Sequence, residues 1–347
     1  MPLLEKSQNQ LLSMPGVAHP IDTEAAAAAD DDAALQDRIK PDTLIKVGSV
    51  EDNNDNNTIP RFVVGYWSMR GLGAPLRMML SAAHAQKRLV PHYWVALYDV
   101  LEDSSEDGQQ SWSLKSWTDD KEWMLRECSP FMNLPYLIDV QEQYVLTQSN
   151  AILSYLGREL GMMGSTKLET AKCEELLCTI YDLRDVMVHF AYYGKPTAEQ
   201  CWTTAQKHFQ NLESHLTGQM RKTTTTTIDD DDDDAANSNG STTFLVGPKP
   251  NAPDFPLFEI LDQYEILAEQ HDFQSLGDHY PNLALYKKAM EEWSEHQDYL
   301  NSFLHRGLPL NNPYAQFASS LSGKCYERGQ EAPWRNLGIV VLDSGGS

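Results

Sequence analysis

The sixteen-residue stretch Phe62–Arg77 constrains the fold of this chain more than any other part of the sequence. It reads FVVGYWSMRGLGAPLR: an apolar run typical of a buried strand, two glycines that permit a sharp turn, and a proline that suits the first turn of a helix. Tyr66 is therefore predicted to lie where a strand ends and a helix begins. A phenol at that place, near free helix N–H groups, can hold an anion such as a thiolate. Packing alone would also explain Tyr66 and Trp67, as aromatic core residues.

The pattern around this stretch predicts an α/β domain over residues 60–164. The predicted elements that follow the strand at Phe62 are a helix at Pro75–Ala85, a strand within Val90–Tyr98, a long polar loop, strands at Leu134–Asp139 and Tyr144–Thr147, and a helix at about Asn150–Leu160. That order, βαβ followed by ββα, is the order of a thioredoxin-like domain. We therefore expect a mixed four-stranded sheet with helices.

Beyond Thr166 the apolar residues follow a helical period, which predicts an all-α domain over residues 165–311. After a long first helix, the predicted helices are about Thr197–Gly218, Phe255–Gln270 and Leu283–Ser302. Runs of threonine and aspartate at Arg221–Thr243 interrupt this pattern, and we expect a disordered insert there. Asn251 and Asp254 resemble a capping box before the third helix.

Two terminal segments have no place in these domains. Residues 1–59 are predicted to be a disordered acidic leader, because their Ala, Asp and Asn runs cannot bury enough surface to offset chain entropy. Residues 312–347 form a C-terminal extension whose sequence contains no interpretable motif.

Composition excludes several classes of function. The net charge of −23 argues against nucleic acid or an anionic membrane as a partner, although 13 of these charges lie in residues 1–60 and the aspartates 229–234. The five cysteines show no CxxC pair and no disulfide framework, which suits a reducing compartment. No zinc-type spacing of His and Cys occurs, so we expect no metal. Without an apolar stretch of 18 residues or a signal-peptide pattern, the sequence predicts a soluble cytoplasmic protein.

Three motifs resemble those of the glutathione S-transferases, closest to the mu class and mu-like enzymes. They occur in the order of that family and are GYWSMRGL at Gly65–Leu72, NLPYLID at Asn133–Asp139 and TQSNAILSYLGRELG at Thr147–Gly161. The resemblance extends over roughly residues 61–311. It implies a cytosolic homodimer that conjugates the thiolate of glutathione, its cosubstrate, to hydrophobic electrophiles without a further cofactor.

The first motif implies roles for three residues. Tyr66 matches the thiol-activating tyrosine of the family, a hydrogen-bond donor that favours the charged form of the thiol. Trp67 and Leu72 match positions that contact glutathione, and no gap separates them from Tyr66.

The second and third motifs imply the rest of the glutathione-binding segment. Asn133 and Leu134 match the backbone that pairs with the cysteinyl part of glutathione, and Pro135 matches a proline that follows a cis bond. Gln148 and Ser149 match the residues that meet the γ-glutamyl group. We expect Ser149 to cap the following helix, whose free N–H groups suit a carboxylate.

The polar loop before Asn133 is harder to align. The family places a tryptophan there and, four residues later, a lysine, which bind the glycine end of glutathione. Trp117 and Lys121 keep that spacing, and we assign them this role. Trp112 and Trp123 compete for it, because the link to Asn133 is about three residues longer than in the mu class.

The remaining predicted site residues lie on the first long helix and in the first turn. Asp182 aligns with an acidic residue that reaches the γ-glutamyl amine in the neighbouring subunit. Tyr192 aligns with a hydroxyl-bearing residue of the electrophile pocket, and Met69, Arg184 and Tyr193 are predicted to line the same pocket. An exposed charge or core packing would explain each of these residues equally simply.

Two alternative functions remain open from the sequence. A glutathione-dependent isomerase of lipid substrates would use the same tyrosine. A non-catalytic binding protein could also retain the transferase fold.

Overall fold

The computed structural model describes residues 34–48, 59–86, 90–104, 110–194, 196–226, 244–317 and 340–343. The strands in this part of the chain are β1 (Thr43–Val47), β2 (Phe62–Trp67), β3 (Tyr93–Tyr98), β4 (Leu101–Ser104), β5 (Gln110–Ser113), β6 (Tyr136–Asp139), β7 (Tyr144–Thr147) and β8 (Val340–Asp343). The helices are α1 (Leu35–Arg38), α2 (Gly73–Ala85), α3 (Lys115–Glu127), α4 (Ser149–Glu159), α5 (Lys167–Tyr193), α6 (Ala198–Thr226), α7 (Asp254–Gln270), α8 (Leu276–His279), α9 (Pro281–Glu292), α10 (Gln297–Leu300) and α11 (Phe303–Arg306).

Four strands form the predicted thioredoxin-like sheet, in the order β7-β6-β2-β3. Strand β2 runs parallel to β3 and antiparallel to β6, and β6 runs antiparallel to β7. The mixed sheet and the helical second half confirm the predicted fold class.

The sheet has a hydrophobic core on each face, because successive side chains of a strand point to opposite sides. Phe62 and Val64 of β2 pack with α2, α4 and the C-terminal helices. Val63 packs on the other side, in a cluster that contains Trp117 of α3, and Tyr66 at the end of the strand also contacts this cluster. Strand β2 therefore joins the two cores and carries Tyr66 between them.

The sheet has six strands rather than the predicted four. Strand β1 lies in the leader and pairs antiparallel with β3, and β8 of the C-terminal extension pairs antiparallel with β1. The apolar residues of β1 explain the difference: Ile45 and Val47 are buried in the sheet, whereas the prediction weighed the composition of the whole leader. Residues 1–33 and 49–58 of the predicted disordered leader lie outside the described residues.

The predicted polar loop before Asn133 contains a hairpin of β4 and β5 and the 13-residue helix α3. The sequence analysis missed this helix because the segment is mostly polar and its apolar stripe is narrow. Trp117 and Met124, seven residues apart, lie on the buried face of that helix.

The helical half begins with a capping box between Thr166 and Glu169 at the start of α5, and α5 ends at Gly194 in the left-handed conformation. Helix α6 continues to Thr226, eight residues past its predicted end, so the first part of the predicted insert is helical. The rest of that insert, 227–243, lies outside the described residues. The predicted helix from Leu283 to Ser302 is interrupted at Trp293, which adopts an extended conformation.

No helix among the described residues is both long enough and apolar enough to span a membrane.

Candidate active site

Tyr66 lies at the end of β2, directly before the turn that leads into α2, as predicted. Its side chain is 5% exposed. Burial raises the pKa of Tyr66 above its ordinary value, and the charge of Arg184 and a hydrogen bond with the backbone of Leu72 offset part of that effect. The phenol therefore stays protonated at neutral pH and can donate a hydrogen bond.

The turn after Tyr66 fits closely around the phenol. Gly71 has a φ of 38°, and a Cβ atom at this position would lie 3.0 Å from the Tyr66 hydroxyl oxygen. Only glycine adopts this conformation readily and leaves this space. The hydroxyl of Ser68, two residues after Tyr66, donates to the Asp99 carboxylate.

Buried charges fasten this turn to the C-terminal helices. The Arg70 guanidinium donates to both carboxylate oxygens of Glu259, at 2.8–3.2 Å, and to Asp262 at 2.6 Å. Arg70 is 3% exposed and Glu259 is 3% exposed. The backbone adds two bonds, from Arg70 N–H to the carbonyl of Pro309 and from Gly71 N–H to the carbonyl of Leu310. The position of Tyr66 thus depends on the second half of the chain.

A cavity opens between the two halves, beside this turn. It lies at the N-termini of α2 and α4 and is closed by α5 and α7. The residues around it include Gly71, Leu72, Pro75, Ser149, Asn150, Leu153, Leu177, Ile180, Tyr181, Arg184, Pro256, Glu259, Ile260 and Gln263. Leu72, Ser149 and Arg184 of the predicted site are thus brought together around one space.

The predicted cis bond is present between Leu134 and Pro135. Leu134 lies just before β6, outside the ladder with β2, which begins at Tyr136. The Thr147 hydroxyl lies next to two backbone carbonyls, those of Asn133 at 2.7 Å and Pro135 at 3.1 Å. Thr147 therefore holds this edge in place, a role that its position at the start of the third motif did not reveal.

The prediction for Ser149 was wrong in one respect. Ser149 is the first residue of α4 rather than its cap, and the N-cap residue, Gln148, makes no side-chain capping bond. Gln148 has a φ of 75°, a left-handed conformation that is uncommon outside glycine and often occurs at functional sites. This turn starts the helix one residue earlier and leaves Ser149 on the wall of the cavity.

A second group of side chains lies next to Tyr66, on the side of the predicted electrophile pocket. The Tyr192 hydroxyl lies 3.7 Å from the sulfur of Met69 and accepts a hydrogen bond of 3.0 Å from the N–H of Asn312. Tyr314 packs edge-on against Tyr192, with 5.7 Å between ring centroids.

Two aromatic residues of this group were missed by the sequence analysis. Trp112 contacts Tyr314, with 5.9 Å between ring centroids. Tyr314 follows the last recognisable motif, and no sequence signal pointed to it. Trp112 had been weighed only as a competitor for the glycine end of glutathione, and the structure places it beside the aromatic group instead.

Two predicted residues, Trp117 and Tyr193, are not brought to this site. The Trp117 ring is 3% exposed and packs inside the second core, stacked on Tyr136 and edge-on to Tyr98. It is buried because α3 turns its apolar stripe toward the sheet. Lys121 lies one turn further along α3. Tyr193 is 58% exposed and packs on His189.

Trp67 is half-buried, and Asn133 and Asp182 are exposed. Asp182 lies on α5, two residues from Arg184, which lines the cavity. Across the described part of the chain, no group of three or more His, Cys, Asp or Glu side chains is arranged to hold a metal ion.

Known proteins match this chain in sequence and in fold. The family described as "Glutathione S-transferase, C-terminal domain" matches residues 181–303. Glutathione S-transferase Mu 3 of Homo sapiens is 28% identical over 265 residues, which cover 74% of this chain and 95% of that protein. The class-mu 26 kDa isozyme 1 of Fasciola hepatica is 29% identical, over 76% of this chain and 98% of that protein.

The crystal structure of the glutathione S-transferase Blo t 8 covers 73% of this chain and 98% of its own, with a TM-score of 0.52 and 23% identity, and so supports the fold. The family match lies in the helical half, and the relatives in sequence also extend across the thioredoxin-like half, where the three motifs occur. The chain is therefore similar to mu-class glutathione S-transferases in both of its halves.

Proposed function

We propose that this protein conjugates the thiolate of glutathione to hydrophobic electrophiles, with Tyr66 as the thiol-activating residue. The observation that carries the proposal is the placement of a buried, protonated phenol against Gly71, which lines one cavity together with Ser149 and Arg184. The sequence relatives named above are glutathione S-transferases.

Activation of the thiol follows from its pKa. A free thiol has a pKa of about 8.5, so less than a tenth is thiolate near pH 7.4. A hydrogen bond from the Tyr66 hydroxyl favours the charged form, and a pKa lowered by about two units makes thiolate the major species. The sulfur then forms a bond to the electrophilic carbon, either displacing a leaving group with its electron pair or adding to an activated double bond that later takes up a proton.

We propose that glutathione lies along the cavity with its peptide antiparallel to Leu134. The free backbone before β6 suits strand-like pairing with the cysteinyl residue. The first turn of α4, with Gln148 and Ser149, offers N–H groups to the γ-glutamyl carboxylate. Trp67, Leu72 and Asn133 complete this proposed surface, and Trp117 and Lys121 would act indirectly, through α3.

The electrophile would lie on the other side of Tyr66. Met69 and Tyr192 give this side apolar surface together with one hydroxyl, and Arg184 adds a positive charge near the thiolate. We propose a homodimer in the cytoplasm, in which Asp182 reaches the γ-glutamyl amine bound to the partner subunit.

The test of this proposal is Tyr66→Phe, which keeps the ring and removes one donor. We expect the fold and glutathione binding to survive, and conjugation of chlorodinitrobenzene at pH 6.5 to fall by roughly 10–100-fold. Activity should recover in part toward pH 8.5, where solution supplies the thiolate. Ultraviolet difference spectra of the glutathione complex report the thiolate directly.

The matched control is Tyr193→Phe, which removes a hydroxyl from an exposed ring on α5. Its rate should stay within about twofold of the wild type. A Tyr66→Phe protein with the wild-type thiolate titration and rate would show that Tyr66 only packs, and would refute its assigned role.

A further inference from the structure

The inner leader, residues 34–48, packs against helix α3 as well as against the sheet. Arg38 forms an ion pair of 2.6 Å with Glu127, the last residue of α3, and its guanidinium lies 4.4 Å from the ring centroid of Trp123. Ile39 is 8% exposed and belongs to the core that also contains Tyr66. The inner leader therefore joins the core on the α3 side of the sheet.

One backbone group of the inner leader enters a buried polar network. The N–H of Lys40 donates to Oδ2 of Asp120 at 2.8 Å, and the hydroxyl of Tyr98 donates to the same oxygen at 2.6 Å. The hydroxyls of Tyr98 and Tyr136 lie 2.8 Å apart. Asp120 is 1% exposed and Tyr98 and Tyr136 are fully buried, so losing one donor leaves a carboxylate without water to replace it.

Tyr136, the last residue of this network, lies between two backbone segments of the proposed glutathione site, the cis-proline edge and the end of β2. Tyr136 directly follows the cis bond at Pro135. Its ring also lies against Gly65, where a Cβ atom would come within 2.1 Å of the ring carbon Cζ. Gly65 in turn directly precedes Tyr66, so the position of the Tyr136 ring affects the backbone on both sides of the bound tripeptide.

We propose that the inner leader is a positioning segment for glutathione binding, acting from the Lys40 N–H through Asp120, Tyr98 and Tyr136. Its departure would leave Asp120 with one donor fewer, and the carboxylate and the two phenols would rearrange. The edge at Leu134 and the strand at Gly65 would then shift relative to each other. The identity of the ligand as glutathione rests on the proposed function. The coupling between the inner leader and the backbone at Gly65 and Leu134 does not depend on it.

The test compares Lys40→Pro with Lys40→Ala in the full chain. Proline removes the N–H, and the conformation of Ile39, with φ −72° and ψ 143°, is the extended one that a residue before proline prefers. Alanine keeps the N–H and removes the exposed side chain with its charge. We expect the KM for glutathione to rise about tenfold in Lys40→Pro and to stay within about twofold in Lys40→Ala.

The KM distinguishes positioning from mere stability. A variant that is partly unfolded has less active enzyme, so its apparent kcat falls while the KM of the folded molecules is unchanged. We expect kcat at saturating glutathione to stay within about threefold in Lys40→Pro. Equal KM values for the two variants would overturn the inference.

Hydrogen exchange without ligand gives an independent reading. In Lys40→Pro, the amides of Tyr136 and of residues 63–66 should exchange at least tenfold faster, while amides of α7 keep their rates. Arg38→Gln, which removes the ion pair with Glu127, should accelerate the same amides less strongly, and serves if Lys40→Pro does not fold. Unchanged exchange in every folded variant would refute the coupling, whereas a wild type that fails to bind glutathione but shows the coupling would refute only the proposed function.

Discussion

The two sides of the candidate site are held in different ways. The turn after Tyr66 is fastened to the C-terminal helices, through Arg70 with Glu259 and Asp262 and through the backbone at Pro309 and Leu310. The edge at the cis proline is fastened inside the thioredoxin-like half, through the hydroxyl of Thr147 and the buried network around Asp120. The position of Tyr66, which would meet the thiol, therefore depends on contacts from both halves of the chain. The edge at Leu134, which would pair with the cysteinyl backbone, depends on contacts within the first half.

This difference predicts that substitutions in the helical half reduce thiol activation more than they reduce glutathione binding. The largest effect should come from Glu259→Leu. Removing one partner of a buried ion pair leaves the guanidinium of Arg70 poorly compensated and typically costs about 3–5 kcal/mol of unfolding free energy. Urea denaturation measures it.

Glu265→Gln is the control for this substitution. Glu265 also pairs with a lysine, Lys287, but its side chain is 36% exposed, so the loss should stay below about 1 kcal/mol. Equal losses in the two variants would show that the turn does not depend on the buried pair.

Acid tests the helical half by itself, where buried groups shift in both directions: burial raises the pKa of Asp254 in that half to about 7. Burial lowers the pKa of His296, in the helical half, to about 4. The unfolded chain therefore binds more protons at this histidine between about pH 6.5 and 4, and the stability due to His296 falls as pH falls across that window, by on the order of 3 kcal/mol in full. Burial raises the pKa of Asp120, on the proline side, so the stability due to Asp120 grows as pH falls.

His296→Asn keeps a donor for the carbonyl of Met290, which lies 2.9 Å from the His296 ring nitrogen Nδ1, and cannot titrate. Its urea midpoint should depend less steeply on pH than that of the wild type. Identical slopes would mean that His296 does not set the acid response.

Asp182→Ala tests a proposed contact that comes from the partner subunit rather than from either side of the site. If the carboxylate reaches the ligand of the partner subunit, glutathione affinity should fall roughly ten- to hundredfold while the dimer remains. Asp185→Ala removes a neighbouring exposed carboxylate on the same helix, paired with His189, and should bind normally. Calorimetry and sedimentation together decide it, and a monomeric wild type would contradict the role of Asp182.

The smallest effect should come from Thr147→Val, which keeps the shape of the side chain and removes the hydroxyl beside the proline edge. We expect about 1 kcal/mol less stability and a few-fold weaker glutathione binding, with the thiolate pKa unchanged. Thr204→Val, on an exposed helix face, is the matched control. A shifted thiolate pKa in Thr147→Val would show that the two sides are not independent.

The sequence predicted the parts of this site that depend on local pattern. The strand, turn and helix around Tyr66 were recognised because the apolar run, the glycines and Pro75 lie within a few residues of one another. The cis bond before Pro135 followed from the resemblance of one short motif.

The remaining features depend on contacts between distant residues, for which a single sequence contains no signal. Arg70 stands within the first motif, but its partner Glu259 is 189 residues away. Tyr314 joins the aromatic group near Tyr66 only through the path of the C-terminal segment. Trp117 was assigned by its spacing to Lys121, and the burial of that face of α3 could not be read from a polar stretch.

The pairing of β1 with β8 has a consequence for synthesis of the chain. Strand β8 leaves the ribosome roughly 300 residues after β1, which takes about 15–60 s at about 5–20 residues per second. During that interval the outer side of β1 presents unpaired N–H and C=O groups to its surroundings, including other nascent chains. A truncated chain that ends before Val340 would lack β8, and the outer edge of β1 would stay unpaired and prone to aggregation.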